Sequence, residues 1–318
     1  MGIKILGLGS YVPPLTIDNQ QMSQLVDTSD EWIVTRTGIS TRHVVKEESV
    51  TELAVRSSQA ALTDAGVDPQ DLDLILCSTL QGDYITPALA CIVQGEIGAS
   101  CPAFDINAAC PGFVYGLDVA SAYLGSGQAK KVLFICAETL SRHIDWQDRA
   151  TCVIFGDAAG SVVLEEGDWV LARRLTCLSD KESLYSKAPQ GNCPFSDHED
   201  GTYVQMSGQD VYKFAVSSVS DDFAFLSEQT GIVADDIDHF VLHQANKRIV
   251  EAVRHRLKQP PEKFPTNIER YGNTSSASIP VLLDELDKSG QLQKGQLLFI
   301  SAFGSGLSTG SYIIKWNK

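Results

Sequence analysis

Eight cysteines stand at positions 77, 91, 101, 110, 136, 152, 177 and 193, and none forms a CxxC pair, which argues against a zinc site. Most lie in apolar runs such as Leu74-Ile-Leu-Cys77, where a free cysteine serves as a small hydrophobe. Cys110 differs. It follows the strand-like Phe104-Asp-Ile and precedes an apolar helical pattern at Phe113, Leu117, Ala120 and Leu124. This places it on a strand-to-helix turn with Pro111 at the first helical position, where a missing N–H costs nothing. A thiol at a helix N-terminus feels the positive end of the dipole, which favours the nucleophilic thiolate.

Two further residues stand at comparable places. The apolar run Phe240-Val-Leu-His243 brings His243 to the end of a strand, where α/β sheets bind ligands. Asn273, in Tyr271-Gly272-Asn273-Thr-Ser-Ser276, precedes a second apolar helical pattern at Ile279, Leu282, Leu283 and Leu286. A lone histidine at a strand end is more often a satisfied structural residue. Cysteine, histidine and asparagine at three such ends make nucleophilic catalysis the better reading.

Short apolar runs alternate with helical segments along the chain, which predicts βαβ units in a layered α/β fold. Ser49-x-x-Glu52 is a capping box opening a helix that stops near Gly66. The chain also repeats itself. Asp73-Leu-Ile-Leu resembles Asp238-His-Phe-Val at an offset of 165, and Leu133-Phe-Ile-Cys-Ala resembles Leu298-Phe-Ile-Ser-Ala at the same offset. Ser-Gly-Gln at 126–128 recurs at 289–291, an offset of 163, which makes Asn273 the expected twofold mate of Cys110. Two α/β halves are expected, residues 1–170 carrying the cysteine and 171–318 carrying the histidine and asparagine. Residues 176–206 read as an inserted loop, of the kind that often covers a site. Gly7-Leu-Gly9 lacks the third glycine of a dinucleotide loop and reads as a tight turn.

The net charge of −15 over 318 residues disfavours nucleic-acid binding. The N-terminal segment lacks the features of a signal peptide and no apolar run is long enough to span a bilayer, so a soluble, cytoplasmic protein without membrane association is expected. Scattered cysteines fit a reducing compartment. Against this acidic background, the segment Lys247-Arg248 … Arg254-His-Arg256-x-Lys258 is basic, with Lys247, Arg254 and Lys258 on one helical face. It suits an acidic partner and equally a solvated face.

Ala109-Cys110-Pro-Gly112-Phe, His243-Gln-Ala-Asn246, Gly272-Asn273-Thr-Ser and Ala302-Phe-Gly304-Ser-Gly306 resemble, in order and over the whole chain, the site motifs of thiolase-like condensing enzymes, in particular β-ketoacyl-acyl carrier protein synthase III. Asp30-Glu-Trp32-Ile-Val-Thr-Arg36-Thr-Gly38 and Phe155-Gly-Asp157-Ala-Ala-Gly160 support the likeness. Two departures are Pro111, where the family has a small residue, and Gly-Ser-Gly in place of three glycines.

The resemblance implies a five-layered αβαβα fold of two duplicated halves, a homodimer, and a decarboxylative Claisen condensation of acyl-CoA with malonyl-acyl carrier protein through an acyl-Cys110 intermediate. Coenzyme A enters as a substrate thioester, and no cofactor or metal is implied. His243 and Asn273 would hold the thioester carbonyl of the malonyl substrate. Cys110 and the Gly304-Ser305-Gly306 loop would hold the oxyanion. Trp32 and Arg149 would sandwich the adenine, with Thr28, Arg36 and Asn246 nearby. Lys247, Arg248, Arg254 and Arg256 would dock the carrier protein. The loop residue that closes the acyl pocket across the dimer aligns with Thr86, or with Tyr84 if the alignment shifts by two. Threonine there would admit primers longer than acetyl. Other readings keep the fold and change the acceptor, as in an acyltransferase or condensing enzyme of secondary metabolism, or make the chain a non-catalytic partner subunit. A thiolase would need a second cysteine near the C-terminus, and none follows Cys193.

Overall fold

The computed structural model describes residues 2–189, 191, 194–195, 197 and 200–318. The first sheet contains β1 (Gly2–Tyr11), β2 (Leu74–Ser78), β3 (Ala103–Ile106), β4 (Lys131–Thr139) and β5 (Asp157–Gly167), in the order β1-β5-β4-β2-β3. The second contains β6 (Val170–Asp180), β7 (His239–Leu242), β8 (Leu297–Gly304) and β9 (Gly306–Lys315), in the order β7-β8-β9-β6. Both sheets follow the same plan of parallel and antiparallel neighbours. The second lacks a counterpart of β3, because the equivalent stretch before Asn273 forms the short helix Ile268–Tyr271.

Among the described residues, the α-helices of eight residues or more are α1 (Asp30–Thr37), α2 (Val50–Ala65), α3 (Leu89–Glu96), α4 (Gly112–Gly125), α5 (Gly208–Thr230), α6 (Lys247–Leu257) and α7 (Ser278–Lys288). One apolar core lies between the sheets around α4 and α7. A second packs α2 and α3 on the outer face of the first sheet, and a third packs α5 and α6 on the outer face of the second. The result is five αβαβα layers. The central strands β2, β4, β7 and β8, covered on both faces, are buried along nearly their whole length, whereas the edge strand β6 is half exposed.

Local chemistry sets the boundaries. Ser49 Oγ accepts the Glu52 N–H at 3.0 Å and Gly66 ends α2 at φ 63°. The Glu52 carboxylate turns away from the cap and pairs with Arg56 at 2.6 Å. At the start of each central strand the same device recurs. Asp73 Oδ2 accepts the Lys131 N–H at 2.9 Å, and Asp238 Oδ2 accepts the Leu297 N–H at 2.8 Å.

The duplication is present, but its register differs from the sequence match in one strand. The offset of 165 holds for β2 and β7, where Leu76 and Val241 face the central core and Cys77 and Leu242 face outward. In β4 and β8 the inward set is Val132, Phe134 and Cys136 against Leu298, Ile300 and Ala302, an offset of 166. Matching Leu133 to Leu298 would exchange the two faces, since a one-residue slip inverts a strand.

Both ends of the stretch 176–206 form regular structure where a loop was expected. Residues 176–180 complete β6, and Leu184–Tyr185 pairs with Gln205–Met206. Cys193 lies outside the described residues.

Candidate active site

Cys110 occupies the turn between β3 and α4. Asn107 Oδ1 accepts the Ala109 N–H at 3.1 Å and holds Ala109 at φ 49°. Pro111 is the N-cap of α4 rather than its first residue. The expected lowering of the thiol pKa by the helix is outweighed by enclosure in protein. Desolvation pushes Cys110 up to about 11, against a hydrogen bond from Ser275 and with a further upward push from Glu138. At neutral pH the resting group is therefore the thiol.

His243 ends β7, is fully buried, and packs edge-on against Phe303 with centroids 5.3 Å apart. Its Nδ1 lies 2.6 Å from Ser278 Oγ, at the first residue of α7. Burial lowers its pKa to about 3, so the ring is neutral. Asn273 is held by its backbone, donating to Ile154 O at 2.9 Å and accepting from Gly156 N at 3.0 Å. Its Oδ1 accepts the Ser275 N–H at 2.8 Å. Each side chain thus has one polar atom committed, leaving Nε2 of His243 and Nδ2 of Asn273.

These fixings overturn the expected pairing of Asn273 with Cys110. Asn273 caps Ser275 (φ 51°) as Asn107 caps Ala109, an offset of 166. The mate of Asn273 is therefore Asn107, and that of Cys110 is Ser276. The offset of 163 holds only at the helix ends, because α7 has 11 residues and α4 has 14. His243 and Ser278 likewise correspond to Ser78 and Gly112, and a Cβ on Gly112 would lie 2.0 Å from Ser78 Oγ. Gly304 corresponds to Glu138. The two halves share one frame and carry different chemistry on it.

Two cavities, of about 380 and 320 Å³, meet at Cys110. His243, Asn273 and Gly304 line the first with Cys110, and Trp32, Arg36, Arg149, Asn246 and Arg248 line it as well. Gly304 is required by close approach, since a Cβ there would lie 2.8 Å from Cys110 Cβ. Ser305 and Gly306 line the second cavity with Leu80, Leu140 and Leu184, and Ser305 Oγ donates to Leu184 O at 2.6 Å.

The aromatic–guanidinium pair is assembled but closed. Arg149 and Arg36 lie 4.7 and 4.6 Å from the Trp32 ring centroid. An inserted base needs about 7 Å, twice a ~3.5 Å contact, so Arg149 must move to admit one. Asn246 caps α6 through the Arg248 N–H and donates to Arg36 O at 3.1 Å. Thr28 lines neither cavity, and its buried hydroxyl has no hydrogen-bond partner among the described residues.

Thr86 is exposed beside Tyr84 and Ile85 and lines neither cavity of the single chain. On α6, Lys247, Arg248 and Arg256 are exposed, whereas the Arg254 guanidinium is committed to Glu251 at 2.7 Å and to Gln259 O at 3.2 Å. The basic face available to solvent is thus narrower than the helical pattern suggests.

Sequence reasoning passed over Glu138, Ser275, Ser276 and Ser278. Glu138 is fully buried, accepting from Ser276 Oγ at 2.6 Å and from the Leu80 N–H at 3.0 Å. The available signals were a lone carboxylate near the end of the apolar run Val132–Ala137, and the hydroxyl-rich run after Asn273.

A half-buried cysteine at a helix start, sharing one cavity with an imidazole and an amide donor inside a duplicated αβαβα frame, defines a thiolase-like condensing enzyme. Residues 104–177 and 227–316 match the profiles described as 3-oxoacyl-[acyl-carrier-protein] synthase III and its C-terminal part. The chain is 41% identical over 322 residues to the β-ketoacyl-[acyl-carrier-protein] synthase III of Clostridium acetobutylicum, covering 99% of each. It is 43% identical to that of Xanthomonas campestris, covering 98% of each. Its fold matches the crystal structure of the Aquifex aeolicus 3-oxoacyl-[acyl-carrier-protein] synthase III with a TM-score of 0.92, at 41% identity over 99% of this chain and all of that one. It also matches the priming β-ketosynthase of the R1128 polyketide pathway with a TM-score of 0.91, at 32% identity over 100% of this chain and 97% of that one. The chain belongs to the 3-oxoacyl-[acyl-carrier-protein] synthase III family.

Proposed function

We propose that the chain joins an acyl-CoA primer to malonyl-acyl carrier protein, as the first condensation of fatty acid synthesis. Cys110 attacks the primer thioester and the acyl group passes to sulfur as the CoA thiolate leaves. The Cys110 N–H and the Gly304-Ser305-Gly306 backbone hold the tetrahedral oxyanion, each such donor typically worth about 3 kcal/mol.

Malonyl-acyl carrier protein then enters the same cavity. Nε2–H of His243 and Nδ2–H of Asn273 hold its thioester oxygen, so that the electron pair released with carbon dioxide is stabilised as an enolate. The enolate carbon attacks the acyl-Cys110 carbonyl and the cysteine departs, giving β-ketoacyl-acyl carrier protein. Ser278 supports the donor tautomer. Its oxygen accepts the Gln244 N–H at 3.4 Å, and its hydroxyl then donates a hydrogen bond to His243 Nδ1, which leaves the ring proton on Nε2. A ring with a pKa of about 3 acts here as a neutral donor rather than as an acid.

The observation that carries this reading is the opening of Cys110, His243 and Asn273 onto one cavity, with the second polar atom of both donors already occupied. Coenzyme A is a substrate, and these steps call on no cofactor. The enzyme acts in the cytoplasm as a homodimer, with Trp32, Arg36, Arg149, Thr28 and Asn246 around the CoA entrance and the basic face of α6 meeting the acidic carrier protein. Supplying acetyl-CoA and malonyl-acyl carrier protein should release carbon dioxide and form β-ketoacyl-acyl carrier protein in equal amounts. Transfer of the acyl group without carbon dioxide release would replace this reading with that of an acyltransferase using another acceptor.

A further inference from the structure

Acylation needs a destination for the Cys110 proton, and the site holds few candidates. His243 is buried and neutral, with its Nδ1 engaged by Ser278. Among the described residues, Glu138 is the one buried carboxylate beside the nucleophile. It stands near the end of β4 and is tied to the Leu80 N–H at 3.0 Å and to Ser276 Oγ at 2.6 Å. Ser275 Oγ lies 3.3 Å from Glu138 Oε1 and 3.5 Å from Cys110 Sγ, so one hydroxyl stands between thiol and carboxylate.

Resting on Cys110 as nucleophile, we propose that Ser275 relays the Cys110 proton to Glu138 during acylation. The Cys110 S–H donates to Ser275 Oγ while the Ser275 hydroxyl proton passes to Glu138 Oε1. The S–H bond and the Ser275 O–H bond break, and a new Ser275 O–H bond and a Glu138 O–H bond form. The products are a thiolate, a hydroxyl donating to it, and a neutral carboxyl. Ser275 touches the reacting sulfur. Glu138 acts through it as a positioning and proton-holding residue.

The balance of charge favours this route. The enclosed site carries one negative charge before and after the transfer, which moves it from oxygen to sulfur. Ionising the thiol beside an ionised Glu138 would place two there. Among the described residues, the titratable groups that interact with Glu138 are the thiols of Cys110, Cys77 and Cys136, and no cation offsets its burial. Desolvation raises its pKa to about 7, close to the operating range of a general base. The twofold frame makes the relay specific to one half. Gly304, the mate of Glu138, has no side chain, and its place against Cys110 is left open for the oxyanion.

The test follows acylation of Cys110 by acetyl-CoA and its alkylation by iodoacetamide over about pH 5.5–10, read by peptide mass spectrometry. Unmodified protein, Ser275→Ala, Glu138→Gln and Cys110→Ala are compared. Alanine is tolerated at the backbone of Ser275, because Ala109 adopts the same conformation in the other half. The unmodified protein should show an inflection near pH 7, the Glu138 value. Ser275→Ala and Glu138→Gln should lose that inflection, react about 10²-fold more slowly near neutrality, and converge with the unmodified protein as hydroxide removes the proton. An unchanged pH profile in both variants, or a loss by the same factor at every pH, would overturn the relay while leaving Cys110 as nucleophile. Acylation persisting in Cys110→Ala would overturn the nucleophile assignment and the relay with it.

Discussion

Ala109 and Ser275 share one left-handed backbone conformation, with φ of 49° and 51°, and each donates its N–H to the side-chain oxygen of an asparagine two residues earlier. A non-glycine residue rarely adopts this region without local support. The asparagine supplies it in both halves. The next residue is Cys110 in one half and Ser276 in the other, so the same turn presents the thiol to the cavity and the hydroxyl to Glu138. The two halves thus share one turn, which opens a thiol onto the cavity in the first and anchors Glu138 in the second.

His243→Ala and Asn273→Ala should leave acylation of Cys110 largely intact and slow decarboxylation of malonyl-acyl carrier protein by about a hundredfold, equivalent to about 3 kcal/mol for one donor. Separate assays of the two half-reactions measure this. Equal losses in both would mean that the pair activates the cysteine. In Cys110→Ala, decarboxylation should persist, since both donors remain.

The fold was legible because local signals agreed with it: the cap at Ser49, the aspartates that open β2 and β7, and the helical patterns of α4 and α7. Register was not. Strands β4 and β8 are buried on both faces, so either of two neighbouring registers places apolar side chains on both sides, and likeness of sequence cannot choose between them. The proposed catalytic set was visible as residue types at element ends, and the fold opens all three onto one cavity. Glu138 was hidden because a single carboxylate near a strand end reads as a solvated terminus, and only the tertiary structure encloses it. The state of Cys110 was misjudged for a related reason. Helix position is written locally, whereas burial depends on both sheets.

Glu138 also sets a pH dependence of stability. A free glutamate titrates near 4.5 and the buried one near 7, so the folded state holds the proton more tightly. That contribution is fully present at low pH and is lost as pH rises from about 4.5 to about 7. Relative to Glu138→Gln, the unmodified protein should lose about 3 kcal/mol over this window, measured by denaturant unfolding. Parallel stability curves for the two proteins would contradict a buried, raised carboxyl.

Arg248→Glu should weaken use of malonyl-acyl carrier protein by more than it weakens the acyl-CoA half-reaction, since Arg248 also lines the Cys110 cavity, and the difference should fade as salt rises, because exposed charges are screened beyond about 10 Å at 0.1 M. Arg254→Glu should act differently. It breaks the bonds to Glu251 and Gln259 O, so it should lower the unfolding midpoint whatever the substrate. A matching loss with free malonyl-CoA in Arg248→Glu would remove carrier-protein docking from this face.

Thr86 tests primer length. The unmodified protein should accept acyl chains longer than acetyl, each buried methylene adding about 0.8 kcal/mol, and Thr86→Phe should shift preference toward acetyl-CoA. Competition between acyl-CoAs of graded length reads this directly. Strict acetyl preference that is relaxed by Tyr84→Ala would assign the role to Tyr84 instead.

The most direct measurement is peptide-resolved mass spectrometry of the protein after brief exposure to acetyl-CoA alone, in unmodified and Cys110→Ala forms. An acyl-cysteine chemistry predicts one acetyl group, on the peptide containing Cys110, discharged on addition of malonyl-acyl carrier protein and absent from Cys110→Ala. Acetyl found on another residue, or retained in Cys110→Ala, would contradict it.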